Sequence, residues 1–271
     1  MITFKPFFGL ANRMRAMNSA VALARDLNTR IKIVWVKDNG LNANFSDLFN
    51  IPSFNDIEIY EPTFGFYNLP YTMRYGWYMN MIKNVLRIKF DKVFIFNKLK
   101  MEKIKPDSIK KYNKIFITSY SSDFYDCEFD SDLFIPVPKL MYEINELSSR
   151  CGNQTYGIHI RKQDNKESSH YSPTELFEKK IDVIIKEDND ARFYLATDSI
   201  KDKDFLVQKY GERIITNYFD TSRSSPAGIG NAVIDMFVLS RTKKIIGSYW
   251  SSFSEVAAML GKVELEQVKK M

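Results

Sequence analysis

Cysteine and histidine are nearly missing from this chain, with two of each in 271 residues. Cys127 and Cys151 lie in separate segments, which excludes a disulfide framework and a thiolate metal cluster. His170 stands apart from any Cys or Glu pattern, so a zinc site is not expected. No run approaches the ~18 to 20 apolar residues of a membrane span. The opening MITFKPFFGLANRMRAM lacks the long apolar core and small-residue cleavage site of a secretion signal. These absences predict a cytoplasmic chain, soluble or peripheral to a membrane. The glycine turn at Gly9 has neither GxGxxG nor GxxxxGK[ST] spacing, which removes support for a dinucleotide fingerprint or a P-loop.

What is present suits a soluble globular protein. Hydrophobic residues make up 45% and charged residues 27%, enough to bury a core without staples. The aromatic fraction is 14%, with 21 Phe and 15 Tyr, which fits large cores and sugar-contacting or interface surfaces alike. A formal charge of +6 favours an anionic partner, whether nucleotide, nucleic acid, anionic membrane or phosphorylated acceptor.

Periodicity organises the chain into an α/β protein of two Rossmann-like domains, residues 1–145 and 146–271. A strand at 2–8, a glycine turn, a helix at 12–27 and a strand at 31–36 make a β-α-β unit, whose strands lie parallel with a right-handed crossover. Residues 51–105 show aromatic clusters and a basic stretch without a legible pattern. Residues 115–119 (IFITS) read as a further strand, and PVPKL as a linker. The second half alternates cleanly. Strands at 156–161, 192–197, 213–216 and 244–247 are separated by helices at 173–186, 202–210 and 232–240, with a last helix at 253–260. Such alternation predicts a doubly wound parallel sheet.

Chemistry concentrates in that half. In GIHIR the period of two puts His159 and Arg161 on one face, near the strand's carboxyl end where open α/β sheets bind ligands. Arginine presents a planar, permanently charged fork that matches phosphate oxygens. A structural ion pair accounts for the same arginine equally well. In SYWSSFSEV, Ser251, Ser252, Phe253 and Ser254 open a helix whose first amides favour anions; Ser252 and Glu255 also have capping-box spacing. Asp235 falls in an apolar helix, where, if buried, it needs paired donors such as those of guanine; an exposed helical Asp or one paired with Arg241 fits the pattern too. Asp198 closes the strand FYLAT, in a position equally natural for a cap. Asn12, Arg13 and Arg15 stand at the first glycine turn, placed to face the second domain across a cleft, though a helix with exposed arginines is equally expected without function.

GLANRM at Gly9 to Met14, HIRKQD at His159 to Asp164, FYLATDS at Phe193 to Ser199 and IDMFVLSRTKKIIGSYWSSFS at Ile234 to Ser254 together resemble the fucosyltransferase superfamily. That group includes NodZ-like enzymes, α-1,6-fucosyltransferases and protein O-fucosyltransferases. The resemblance implies a GT-B-like fold, with parallel sheets facing a cleft, and inverting, metal-independent transfer of fucose from GDP-fucose to a glycan or lipid-linked sugar. No cofactor beyond the nucleotide-sugar donor is implied. In that picture Arg161 takes the charge of the departing phosphate, Ser251 to Ser254 add donors, and His159 and Asp235 hold the guanosine. The general base falls on a carboxylate shortly after the HxR strand, where this chain has Asp164 and Glu167. The cationic surface suits the inner face of a cell membrane. The alternatives are a GT-B enzyme using another nucleotide sugar and a non-catalytic binder of nucleotide or nucleic acid; no nucleic-acid module is recognisable.

Overall fold

The computed structural model describes residues 1–69, 76–96, 103–152, 154–163 and 166–270. It divides into two compact units, Met1–Val137 with Arg223–Pro226, and Pro138–Ser222 with Ala227–Met271. The change at Val137 precedes the boundary read at 145/146. Pro138 opens a helix of the second unit rather than a linker, because proline fits a first helical turn, whose N–H would be unbonded in any case.

In the first unit the order is β1 (Ile2–Pro6), α1 (Leu10–Asp26), β2 (Ile31–Val34), β3 (Ile57–Tyr60), α2 (Gly76–Lys89), β4 (Lys92–Ile95), α3 (Pro106–Ile109) and β5 (Ile115–Ser119). The five strands form one parallel sheet in the order β3-β2-β1-β5-β4. β1 is buried along its whole length, as the central strand of a sheet covered on both faces must be. β3, α2 and β4 fall in the stretch the sequence left unassigned. α2 buries Ile82 and Leu86 against Phe90 and Phe116.

The second unit runs α4 (Pro138–Ser149), β6 (Tyr156–Ile160), α5 (Lys166–Tyr171), α6 (Thr174–Glu187), β7 (Phe193–Thr197), α7 (Ile200–Tyr210), β8 (Ile214–Ile215), α8 (Pro226–Leu239), β9 (Lys244–Ser248), α9 (Ser252–Gly261) and β10 (Glu264–Val268). Its sheet is again parallel, ordered β10-β9-β6-β7-β8. Counted from β6, the chain builds outward through β7 and β8, then restarts on the other side with β9. The switch point lies between β6 and β9, and ligands bind at the carboxyl ends of strands at such a point.

Strand alternation sorts the two faces. Ile158, Ile160, Phe193 and Leu195 enter a core with Phe177, Ile181 and Leu206, which leaves His159, Tyr194 and Ala196 for the opposite face. α8 begins at Pro226, ahead of the helix read from Ala232, because Gly228 and Gly230 look like loop residues. Gly228 is there for space: a Cβ would stand 2.0 Å from the Ser222 carbonyl oxygen. Among the described residues no helix is long and apolar enough to cross a membrane.

Candidate functional site

At the carboxyl ends of β6 and β7 a pocket is lined by His159, Arg161, Ala196, Thr197, Asp198, Thr221, Ala232, Asp235 and Phe253. Five of the residues singled out from the sequence meet there: His159, Arg161, Asp198, Asp235 and Phe253. Small side chains at 196, 221 and 232 leave the space that they surround.

Asp235 is 6% exposed in α8, and its needed partners are neither exposed water nor Arg241. Tyr194 O–H and Asn217 Nδ2 donate to its Oδ1 at 2.6 and 2.7 Å. Arg241 instead donates to Asn145 and Ser148 of α4. Among the described residues nothing donates to Oδ2. Burial raises the Asp235 pKa, opposed by the hydrogen bonds from Tyr194 and Asn217 and by the nearby Lys203 charge. Lys203, itself buried, donates to the Asn217 carbonyl, so the network is anchored from below.

His159 is 4% exposed and stacks on Phe253, with ring centroids 4.7 Å apart and planes inclined by 22°. Burial, with the neighbouring Arg161 charge, pulls its pKa from 6.5 down to about 3. The imidazole is therefore neutral near pH 7. Its Nδ1 is shut from solvent and has no hydrogen-bond partner among the described residues. A buried polar atom left this way costs about 1 to 3 kcal/mol, which a bound ligand's donor or acceptor can recover.

Arg161 follows the last residue of β6. Its Nη1 lies 3.1 Å from Asp198 Oδ2, with the two side chains 16% and 8% exposed. Asp198 is the brace of this corner: it accepts the amides of Lys162 at 2.8 Å and Gln163 at 3.3 Å. The structural ion pair and the pocket position thus occur together. Ser248, not singled out from the sequence, ties β9 to β6 by accepting the Arg161 amide at 3.0 Å and donating to the His159 carbonyl at 3.4 Å. Only its place two residues past the apolar pair Ile245 and Ile246, at a strand end, could have marked it.

The serine run divides by role. Ser251 is the N-cap of α9, yet its side chain makes no capping hydrogen bond. This corrects the expected capping box at Ser252 and Glu255: the helix starts one residue earlier than that box requires. Ser254 is fully buried and donates to the Ser251 carbonyl. It fits only because residue 247 is glycine, where a Cβ would lie 2.6 Å from its hydroxyl oxygen. Ser254 is therefore a packing residue. The first amides of α9 carry no side-chain cap, the arrangement that favours an anion. Trp250, just before, adopts a left-handed φ of 60°, a strained backbone of the kind concentrated at functional sites.

Glu167 stands exposed on α5 and is not among the pocket-lining residues, while Asp164 lies outside the described residues. Asn12 and Arg13 belong to the first unit. Asn12 accepts from Arg15 at 3.0 Å. Arg13 is no exposed cation: its side chain is 0% exposed, and its nitrogens donate to the carbonyls of Phe8 and Val36 and to Asp38. Among the described residues no group of three or more His, Cys, Asp or Glu is placed to hold a metal ion.

Comparison by sequence finds no matching family model and no matching curated protein. Comparison of structures is more informative. The chain is similar to NodZ α-1,6-fucosyltransferase, seen soaked with GDP-fucose, at 15% identity and TM-score 0.59, over 96% of this chain and 92% of that one. Another NodZ structure is from Bradyrhizobium. It is also similar to a mutant of Arabidopsis thaliana FUT1 in complex with GDP, at 15% identity and TM-score 0.66, over 98% of this chain and 69% of that one. POFUT1 in complex with GDP matches at 10% identity and TM-score 0.55, over 98% of both chains. The chain has a fucosyltransferase-like GT-B fold, two parallel α/β units of five strands each.

Proposed function

We propose that this protein is an inverting glycosyltransferase that moves fucose from GDP-fucose to a hydroxyl of a glycan or lipid-linked sugar, in the cytoplasm. The observation that carries the reading is the meeting, in one pocket, of the Asp235 carboxylate, a neutral buried imidazole and Arg161. Guanine offers a ring N–H and an exocyclic amine. Asp235 Oδ2 accepts from that edge, while Tyr194 and Asn217 hold the other oxygen and fix the carboxylate's direction. A neutral His159 either donates to or accepts from the base, according to its tautomer.

The diphosphate then lies toward Arg161 and the amides of α9. In the reaction the acceptor oxygen attacks the sugar carbon from the face opposite the phosphate, and the bond from that carbon to the phosphate oxygen breaks with its electron pair. Arg161 and the helix amides stabilise the charge gathering on the departing GDP, the role a metal fills in other transferases. The acceptor's proton passes to a carboxylate after β6, where Asp164 and Glu167 stand.

Titration calorimetry of the chain with GDP, UDP and dTDP tests the reading. GDP binds more tightly than UDP or dTDP, and Asp235→Asn weakens GDP by roughly tenfold or more while leaving UDP unchanged, since a buried acceptor turned toward an N–H is worth about 1 to 3 kcal/mol. Equal affinity for GDP and UDP would remove the guanine assignment, and no binding of any of the three would remove the donor site.

A further inference from the structure

α2 carries a second apolar face in addition to its buried one. Trp77, Met81, Val85 and Ile88 are 71%, 45%, 37% and 86% exposed. At ~100° per residue these four fall within about 80° of the helix circumference, centred roughly 120° from the buried pair Ile82 and Leu86. Phe64, Ile88 and Trp77 are the three most exposed large apolar side chains of the described residues, and all lie within one short stretch of chain. Exposed apolar residues scattered singly are ordinary, but a continuous ridge is not.

The charges that α2 itself carries are of one sign. α2 contains Lys83, Arg87 and Lys89, all exposed, and no acid. On a helical wheel Lys89, whose ammonium lies 5.8 Å from the centre of the Phe66 ring, flanks one side of the ridge, and Asn84, Asn80 and then Arg87 follow on the other. The next acid, Asp91, is engaged by the backbone amides of Asn113 and Lys114. A tryptophan-bearing apolar ridge between long cationic side chains is the pattern of a helix lying in a membrane interface, its apolar side chains at the headgroup boundary and its cations on anionic headgroups. A groove on a protein would accept the apolar ridge, but it gives no reason for a helix whose charges are all cationic.

We propose that α2 is a membrane-docking helix, which holds the first unit on an anionic lipid surface through Trp77, Met81, Val85 and Ile88 with Arg87 and Lys89 beside them. The proposal goes beyond sugar transfer and stands independently of the nucleotide site. Such docking would bring a lipid-linked acceptor to the enzyme.

Co-sedimentation of the full chain with vesicles tests it. The wild type sediments with vesicles of phosphatidylcholine and phosphatidylglycerol in equal parts, stays in solution with phosphatidylcholine alone, and is released by high salt. Ile88→Glu lowers the bound fraction by roughly tenfold, and the double change Arg87→Glu, Lys89→Glu does the same, with circular dichroism and melting temperature unchanged. Trp77→Phe keeps binding but removes the blue shift of tryptophan emission that vesicles induce in the wild type. No sedimentation of the wild type, or equal sedimentation of Ile88→Glu, overturns the proposal. A wild-type dimer that Ile88→Glu converts to monomer, without vesicle binding, assigns the ridge to a second copy and overturns it too.

Discussion

Arg13 and Arg161 each meet an aspartate near the carboxyl end of a central parallel strand, Asp38 in one unit and Asp198 in the other. Read as sequence, the two arginines are alike: each follows a strand at the opening of a β-α connection. In the structure Arg13 is sealed, with Nε and both terminal nitrogens on oxygens of the chain at 2.5 to 2.7 Å. Arg161 borders a pocket, and its aspartate is itself held by two loop amides. The surroundings, not the charge, separate a structural pin from a pocket-facing cation. A guanidinium among carbonyls orders two loops; one beside a pocket, a helix start and a neutral histidine is placed for an anion.

The sharpest way to break this contrast is Arg13→Met, which leaves the carbonyls of Phe8 and Val36 without their donors. It is expected to lower unfolding free energy by about 2 to 4 kcal/mol in denaturant titration. A loss below 1 kcal/mol would show that Arg13 is not a pin. Arg161→Ala is the counterpart, with a smaller effect on stability and a large one on turnover. Release of GDP from GDP-fucose should fall by roughly a hundredfold to a thousandfold, as when one fixed donor to a developing anion is removed. Near wild-type turnover would sink the assignment.

The last test uses pH. Folding depresses the His159 pKa, so the unfolded chain binds the extra proton and the native chain does not. The His159 contribution to stability is therefore full above pH 6.5 and is lost as pH falls toward about 3. His159→Phe should flatten the melting-temperature profile over that window. An unchanged slope in the variant would assign the acid sensitivity elsewhere.

The contrast also marks how far the sequence could be read. β1, α1, β5 and, apart from the short α5, the alternation from β6 to α9 are legible because central strands and their helices have strict apolar periods. β10 was missed: ELEQV is an edge strand, paired on one side, and its partly exposed face admits charge. α2 escaped notice because its two apolar faces blur the single stripe that marks an amphipathic helix. At the site, His159 and Arg161 were legible from strand alternation. The partners of Asp235 were not, since Tyr194 and Asn217 reach it from other elements, and no local spacing encodes a contact made through the fold.

Ser248 has a further consequence, for how the protein comes to have a site at all. Its hydroxyl accepts the Arg161 amide across 87 positions of sequence. Closing so long a segment is entropically slow, and contacts of this kind form after local ones. During synthesis β6 can emerge with its arginine long before β9 exists to orient it. The Arg161 corner of the pocket is thus a late product of folding, assembled when β9 docks at the switch point, and a chain halted before that step would carry the arginine without its geometry.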